Sequence, residues 1–174
     1  MGLEILVVTI LPALLILTAV WDITSFRIPN IFVLALLSLF IVFAGGAAIS
    51  GMGMGWYDAG IHLLAGVIGL AAGMALFATG VIGGGDAKLF AVTTLWLGLN
   101  ALFQYAILVM LLGGLLTLGI LFLRRTPLPL FLFKYEWMRR LHDRKAGIPY
   151  GVALAAAALM TLPHTDLFRL VVVG

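Results

Sequence analysis

The chain contains no cysteine, and that single absence removes disulfides, thiolate nucleophiles and every cysteine-based zinc site together. Charge is scarce too: Asp, Glu, Lys and Arg make up 10% of the 174 residues, against 64% hydrophobic. The three histidines, His62, His142 and His164, are scattered and show no metal-ligand spacing. Mean hydropathy is +1.23. A soluble domain of this length cannot bury that much apolar surface, so the bilayer must be the solvent. At roughly 20 residues per crossing most of the chain fits in membrane, and no soluble domain of useful size is left. The expectation is one integral membrane unit over 1–174. The first segment has Glu4 where a signal peptide carries basic residues, and no convincing small-residue cleavage site precedes Trp21, so it reads as a retained helix. Leu6 excludes a myristoylation motif at Met1-Gly2.

Apolar runs lie at about 4–21, 30–49, 58–80, 87–100, 101–123 and 148–163. The breaks between them carry Gly, Pro, Asn or charge. Pro29 before Asn30 suits the start of a helix, where a missing N–H does no harm. Reading 87–123 as one helix would give roughly 55 Å at 1.5 Å per residue, far beyond a ~30 Å hydrocarbon core. Two helices joined near Gly98-Leu99-Asn100 fit better, and the total becomes six.

Charge placement tests that number independently. Seven of the ten Lys and Arg fall in 124–147: Arg124, Arg125, Lys134, Arg139, Arg140, Arg144 and Lys145. Arg27 and Lys88 flank two other breaks, and Arg169 alone lies opposite. Six crossings put all the basic breaks on one side; five would not. The positive-inside rule therefore predicts an all-α protein of six transmembrane helices, both termini extracytoplasmic, with a basic cytoplasmic loop at 124–147.

Gly66, Gly69 and Gly73 form a small-residue face on the third segment. Such faces let helices approach closely, and packing within one chain is the simpler use than a homodimer. The mixed stretch from Lys134 to His142 suits a cytoplasmic interface held by anionic lipid.

Seven acids exist. Glu4, Asp58 and Asp166 map to the outer side, as solvated helix ends. Glu136 and Asp143 sit among cations, as ion-pair partners. Asp22 and Asp86 remain, each where an apolar run meets a polar break, and both on the predicted cytoplasmic face. Either alone reads as a helix-end residue. Together they suggest a site, since carboxylates near a bilayer are costly and a pair suffices to activate water against an amide. Gly83, Gly84 and Gly85 lead into Asp86 and allow backbone to approach a ligand closely. A phosphate loop is excluded, because the Gly-Lys-Ser/Thr ending is missing and the acid repels phosphate. Helix dipoles suggest that Asp86, at a helix start, is mainly ionised and Asp22, at a helix end, mainly protonated.

Asp22 followed by Ile28-Pro29-Asn30, then Gly83-x-Gly85-Asp86 with Lys88, resembles the type IV prepilin peptidases, membrane aspartic proteases of the GxGD kind. Gly147-Ile148-Pro149-Tyr150-Gly151 is similar to the proline- and glycine-containing motif that opens that family's last helices. The resemblance implies cytoplasmic-side removal of a short basic leader from a pilin precursor in the bacterial inner membrane. It also implies Asp22 and Asp86 as the catalytic pair, with no metal or other cofactor. Gly83, Gly84, Gly85, Lys88, Arg27, Pro29, Asn30 and Pro149 are the candidate substrate-binding or site-shaping residues. Larger family members carry a zinc-binding cysteine insertion between the first two helices and also methylate the new terminus. Here the gap is short and cysteine-free, which resembles the protease-only form serving Flp-type pili.

Two other classes stay open on the sequence alone. One is a small ion- or proton-coupled transporter subunit, against which stand the helix-end position of both acids and the lack of an inverted repeat. The other is a non-catalytic scaffold of a secretion machine. A presenilin-like protease is a near neighbour, but its first aspartate follows a tyrosine inside a helix, whereas Trp21 precedes Asp22.

Overall fold

The computed structural model describes residues 2–50, 54–127 and 129–172, and among these every regular element is helical. The first helix, α1, runs over Gly2–Ser25. Its stretch Leu6–Ile10 is wound as a π-helix just before Pro12. Pro12 has no N–H to give to the preceding turn, and a wider turn upstream accommodates the gap.

The sequence places the end of the first segment near residue 21, yet α1 continues through Asp22 to Ser25. The polar residues there do not break the helix because they bond back into it. Thr24 Oγ1 donates to the carbonyl of Val20 at 2.9 Å, and Ser25 Oγ to that of Trp21 at 2.7 Å. Phe26 stops it, in a left-handed conformation with φ 57°. Asp22 consequently stands in the last turn, its side chain buried.

Helix α2 spans Asn30–Ser50 and α3 spans Trp56–Ala78. A short helix α4, Gly84–Leu97, meets α5, Leu99–Leu123, at Gly98, whose φ of 77° only glycine adopts easily. The chain reverses there: the Phe90 and Tyr105 rings stack at 5.3 Å and Thr93 Oγ1 lies 2.7 Å from the Tyr105 hydroxyl. The expected break near Gly98-Asn100 is therefore present and makes two helices.

The stretch expected as a basic loop carries structure of its own, a 3₁₀ turn at Leu130–Lys134 and helix α6 at Glu136–His142. Glu136 pairs with Arg140, one turn on, as the local ion pair expected. Asp143 does something different, accepting the N–H of Lys145 at 2.9 Å in a tight turn. Helix α7, Tyr150–Thr161, passes through a 3₁₀ turn at Leu162–His164 and bends by 57° into α8, Asp166–Val172. The apolar pattern does not announce that last helix. Thr165 starts it, its hydroxyl taking the N–H of Phe168 at 3.2 Å.

Among the described residues four helices are long and apolar enough to cross a membrane: Gly2–Ser25, Asn30–Ser50, Trp56–Ala78 and Leu99–Leu123. A fifth span results if the bent pair α7–α8 is taken as one. Helix α4 does not qualify. Its 14 residues cover about 21 Å, short of a ~30 Å core. The expected six spans are thus not six comparable rods. The long helices form the outer layer, with many exposed apolar side chains, while α4 and α7 sit inside. In α4 every residue from Val92 to Leu97 is buried. Trp96 anchors it, its Nε1 donating to the Leu36 carbonyl at 3.0 Å and its ring packed on Phe40 and Phe43. Helix α7 buries a small-residue surface of Gly151, Ala153, Ala155, Ala157 and Ala158.

The glycine face of α3 packs against α4. A Cβ at Gly66 would meet Leu95 at 3.1 Å, one at Gly69 would overlap Thr94 Oγ1 at 2.0 Å, and one at Gly73 would press on Ala87 at 3.0 Å. The simpler expectation, close packing within the chain, holds for this face.

Contacts also separate the two ends of the bundle. At one, Asp22, Arg27, Asp86 and Ile148 share a cleft, and Arg124 bonds to the chain leading into Ile148. At the other, Asn100 bonds Asp166 at 2.8 Å, and Glu4 shares a hollow with Phe168 and Val172.

Candidate active site

Asp22 and Asp86 come from two different breaks in the apolar pattern, and the fold brings both to one cleft of about 310 Å³. The rest of its wall is Phe26, Arg27, Ile28, Gly83, Gly84, Gly85 and Ile148. Asp22 is held there by α1, which ends one turn later. Its side chain is almost fully enclosed, at 3% exposure. Its Oδ2 accepts the backbone N–H of Gly151 at 2.8 Å. That donor is the second residue of α7, at a helix start where N–H groups have no partner inside the helix.

Asp86 is held by the first turn of α4. The helix begins at Gly84, so Asp86 is its third residue rather than its cap. Its Oδ2 reaches back to accept the Gly83 N–H at 3.0 Å. Asp58 makes the same contact with Gly55 at the start of α3, at 2.9 Å. The plainer reading of Asp86, a helix-start residue, is therefore true of it. Asp58 also shares a hollow with a second carboxylate, Asp166, but both of those are exposed. What separates Asp86 is that it is half-buried and the carboxylate sharing its cleft, Asp22, is enclosed. Asp86 lies outside the four long apolar helices. Burial pushes its carboxyl up to about 6, the Gly83 N–H opposing that rise.

The glycines explain how α4 enters the cleft so closely. A Cβ on Gly85 would lie 3.1 Å from Ile28 Cβ and 3.3 Å from the Ile28 carbonyl. The α1–α2 break and the α3–α4 break thus touch through glycine. Lys88 adds a polar latch beside them, its Nζ donating to Asn30 Oδ1 at 3.0 Å. Pro29 stands just before α2, its carbonyl accepting the Phe32 N–H at 3.2 Å. Pro149 is buried and directly precedes α7, and Ile148 before it reaches the cleft wall. Of the predicted site-shaping residues, Arg27, Gly83, Gly84 and Gly85 line the cleft, Lys88 and Asn30 brace its edge, and Pro29 and Pro149 shape the chain that enters it.

Two residues in this arrangement are not marked out individually by the sequence. Gly151 belongs there only to a motif, yet its N–H is the hydrogen bond that Asp22 accepts, and its missing side chain is what admits the carboxylate. Arg124 belongs there only to the basic loop, but it is buried and bonds three main-chain carbonyls. Among the described residues no group of three or more His, Asp or Glu is placed to hold a metal ion.

A carboxylate pair in one cleft, a glycine-built entry and a frame of long apolar helices agree with a comparison against protein families. The family model of the type IV leader peptidases matches residues 9–121, well over half of the sequence. The chain belongs to that family. The matched stretch contains both aspartates and ends before the basic segment and Gly151. No curated protein and no solved structure matches the chain significantly. Membership makes this protein a leader-peptidase-like protease with several apolar helices suited to a membrane.

Proposed function

We propose that this leader peptidase is an aspartic endopeptidase that removes the short basic leader of type IV, Flp-like prepilins at the cytoplasmic face of the bacterial inner membrane, with Asp22 and Asp86 as its catalytic pair. The observation that carries this reading is the shared cleft: two carboxylates from distant parts of the sequence meet where a glycine-lined backbone leaves room for an extended peptide.

Two carboxylates so placed do not both ionise freely, because like charges raise each other's cost of ionisation. The resting pair therefore holds one proton, on Asp22, while Asp86 is ionised. Water between them loses a proton to Asp86, and its oxygen bonds the scissile carbonyl carbon. Asp22 donates its proton to the carbonyl oxygen, giving a neutral tetrahedral diol. Collapse breaks the C–N bond as Asp86 hands its proton to the amine nitrogen and Asp22 recovers one from the diol hydroxyl. The pair ends as it began, and one water has been consumed. The N–H groups of Gly84 and Gly85, in the first turn of α4 where the helix gives them no partner, are the backbone donors offered to an extended substrate. The exposed cations of the segment 124–147 meet lipid headgroups, and with Arg27 and Lys88 beside the two aspartates in sequence they make this the cytoplasmic face by the positive-inside rule.

The test is co-expression with a prepilin-like precursor, using wild type, Asp22→Asn and Asp86→Asn, with mass-defined product termini. Processing by wild type alone, with both variants present in the membrane, supports the pair. Processing by either variant removes that aspartate from the reaction.

A further inference from the structure

We infer that Arg124 is a positioning residue for the carboxylate pair: it holds the chain that delivers the Gly151 N–H to Asp22. This deepens the peptidase reading and rests on it for its catalytic part. Arg124 closes α5 and is 8% exposed, unlike its neighbour Arg125. A buried guanidinium needs partners, and here they are carbonyls. Its Nε donates to Leu141 at 2.9 Å, and its Nη2 to Ala146 and Gly147, each at 3.0 Å. The C-terminal end of α5 adds partial negative charge around it. One planar side chain thus ties the end of α6 and the last residues of the basic segment to the end of α5.

Only three residues separate Gly147 from Gly151: Ile148 in the cleft wall, buried Pro149 and Tyr150. Proline has a fixed φ, so little slack is left between the clamp and the donor. The far side is fixed as well. The Tyr150 hydroxyl lies 3.3 Å from Thr117 Oγ1, and its ring lies against Gly113, where a Cβ would come within 3.5 Å. Helix α5 therefore sets the Gly151 amide from two directions, through Tyr150 on its flank and Arg124 at its end. A lysine keeps the charge but is a point donor on a flexible stem and cannot reproduce the fork.

The experiment compares wild type, Arg124→Lys, Arg124→Gln and Arg125→Gln in detergent. It reads amide hydrogen exchange over 143–151 and the kcat and KM of precursor cleavage. We expect Arg124→Gln to speed exchange of those amides about tenfold or more and to lower kcat to a similar extent. KM should stay within about threefold, Arg124→Lys should be intermediate, and Arg125→Gln should match wild type. Unchanged exchange in Arg124→Gln overturns the inference. So does an equal loss in Arg125→Gln, which would mean a charge effect, or a rise in KM alone, which would mean contact with the leader. If Arg124→Gln does not fold, Arg124→Lys decides by the same criteria. If wild type cuts no precursor, the peptidase reading fails by itself, while the exchange comparison still decides whether Arg124 holds Gly151.

Discussion

The N–H of Gly151 donates to Asp22 Oδ2 at 2.8 Å, joining residues 129 positions apart in the chain. Glycine is required there for space. A Cβ at 151 would lie 2.7 Å from that oxygen and 2.8 Å from Ile28 Cδ1. Asp22 is enclosed and has little room to yield, while Ile28 is held against Gly85 by its Cβ and backbone and can turn aside only its Cδ1 tip. Gly151→Ala should therefore displace the carboxylate while improving helix propensity by up to about 1 kcal/mol. We expect processing to fall at least about tenfold, with the protein still inserted and helical. Full activity on a precursor cleavage gel, with far-UV circular dichroism unchanged, would separate Asp22 from that donor.

The two aspartates should differ in what else they do. Asp86→Asn removes the charge while leaving an amide oxygen that still reaches Gly83, so the helix start weakens by no more than about 1 kcal/mol. Asp22→Asn keeps an acceptor for Gly151 as well. Both should lose processing by about three orders of magnitude or more, yet melt within a few degrees of wild type. A thermal scan beside the cleavage assay checks this. A large loss of stability in either variant would assign that aspartate to the frame instead of the chemistry.

Acid should reveal Asp86 through activity and not through unfolding. Burial holds its carboxyl near 6, above the ordinary 3.8. A carboxyl whose folded-state value is raised binds protons more tightly when folded, so between about pH 4 and 6 its contribution to stability grows as pH falls. Activity runs the other way, because the base must be ionised. Near pH 5 only about a tenth of Asp86 is ionised, so cleavage should be about tenfold below its plateau, and recovery on return to pH 7 should be complete. A profile flat down to pH 5 would remove Asp86 as the base.

The features legible in the sequence obey rules in which one physical effect outweighs the rest. Apolar runs bounded by Gly98 and by Ile28-Pro29-Asn30 mark the helices, because lipid leaves backbone groups no other partners. The glycine face of α3 is legible since close packing is what such a face permits. Asp22 and Asp86 stand out only as a pair, since either alone reads as a helix-end residue. The failures share a different cause. Thr24 and Ser25 look like a break, but their hydroxyls bond within the helix. The shortness of α4 is visible, while its enclosure by longer helices is not, since a hydrophobic residue facing lipid and one facing protein look alike in sequence. Arg124 is one cation among seven in its stretch, and only the fold separates the buried one from the exposed ones.

The α3–α4 interface offers a test of the frame independent of any chemistry. At Gly69 a Cβ would fall 2.0 Å from Thr94 Oγ1, and Thr94 is fully buried with its hydroxyl bonded to Ala91. It cannot swing away without losing that bond and opening the core around Trp96. At Gly60, on the same helix, a Cβ would meet nothing within 4 Å. The two substitutions gain the same helix propensity, so their difference isolates the interface. Gly69→Ala should destabilise by about 1–3 kcal/mol through overpacking, and Gly60→Ala should be neutral or slightly stabilising. Equal melting temperatures would mean that α3 does not pack on α4 through this face, and the glycines would then be free for contact with a second copy of the chain. Because α4 carries Asp86 at its start, separation of the two helices should also cost processing, so Gly69→Ala should lose activity where Gly60→Ala does not.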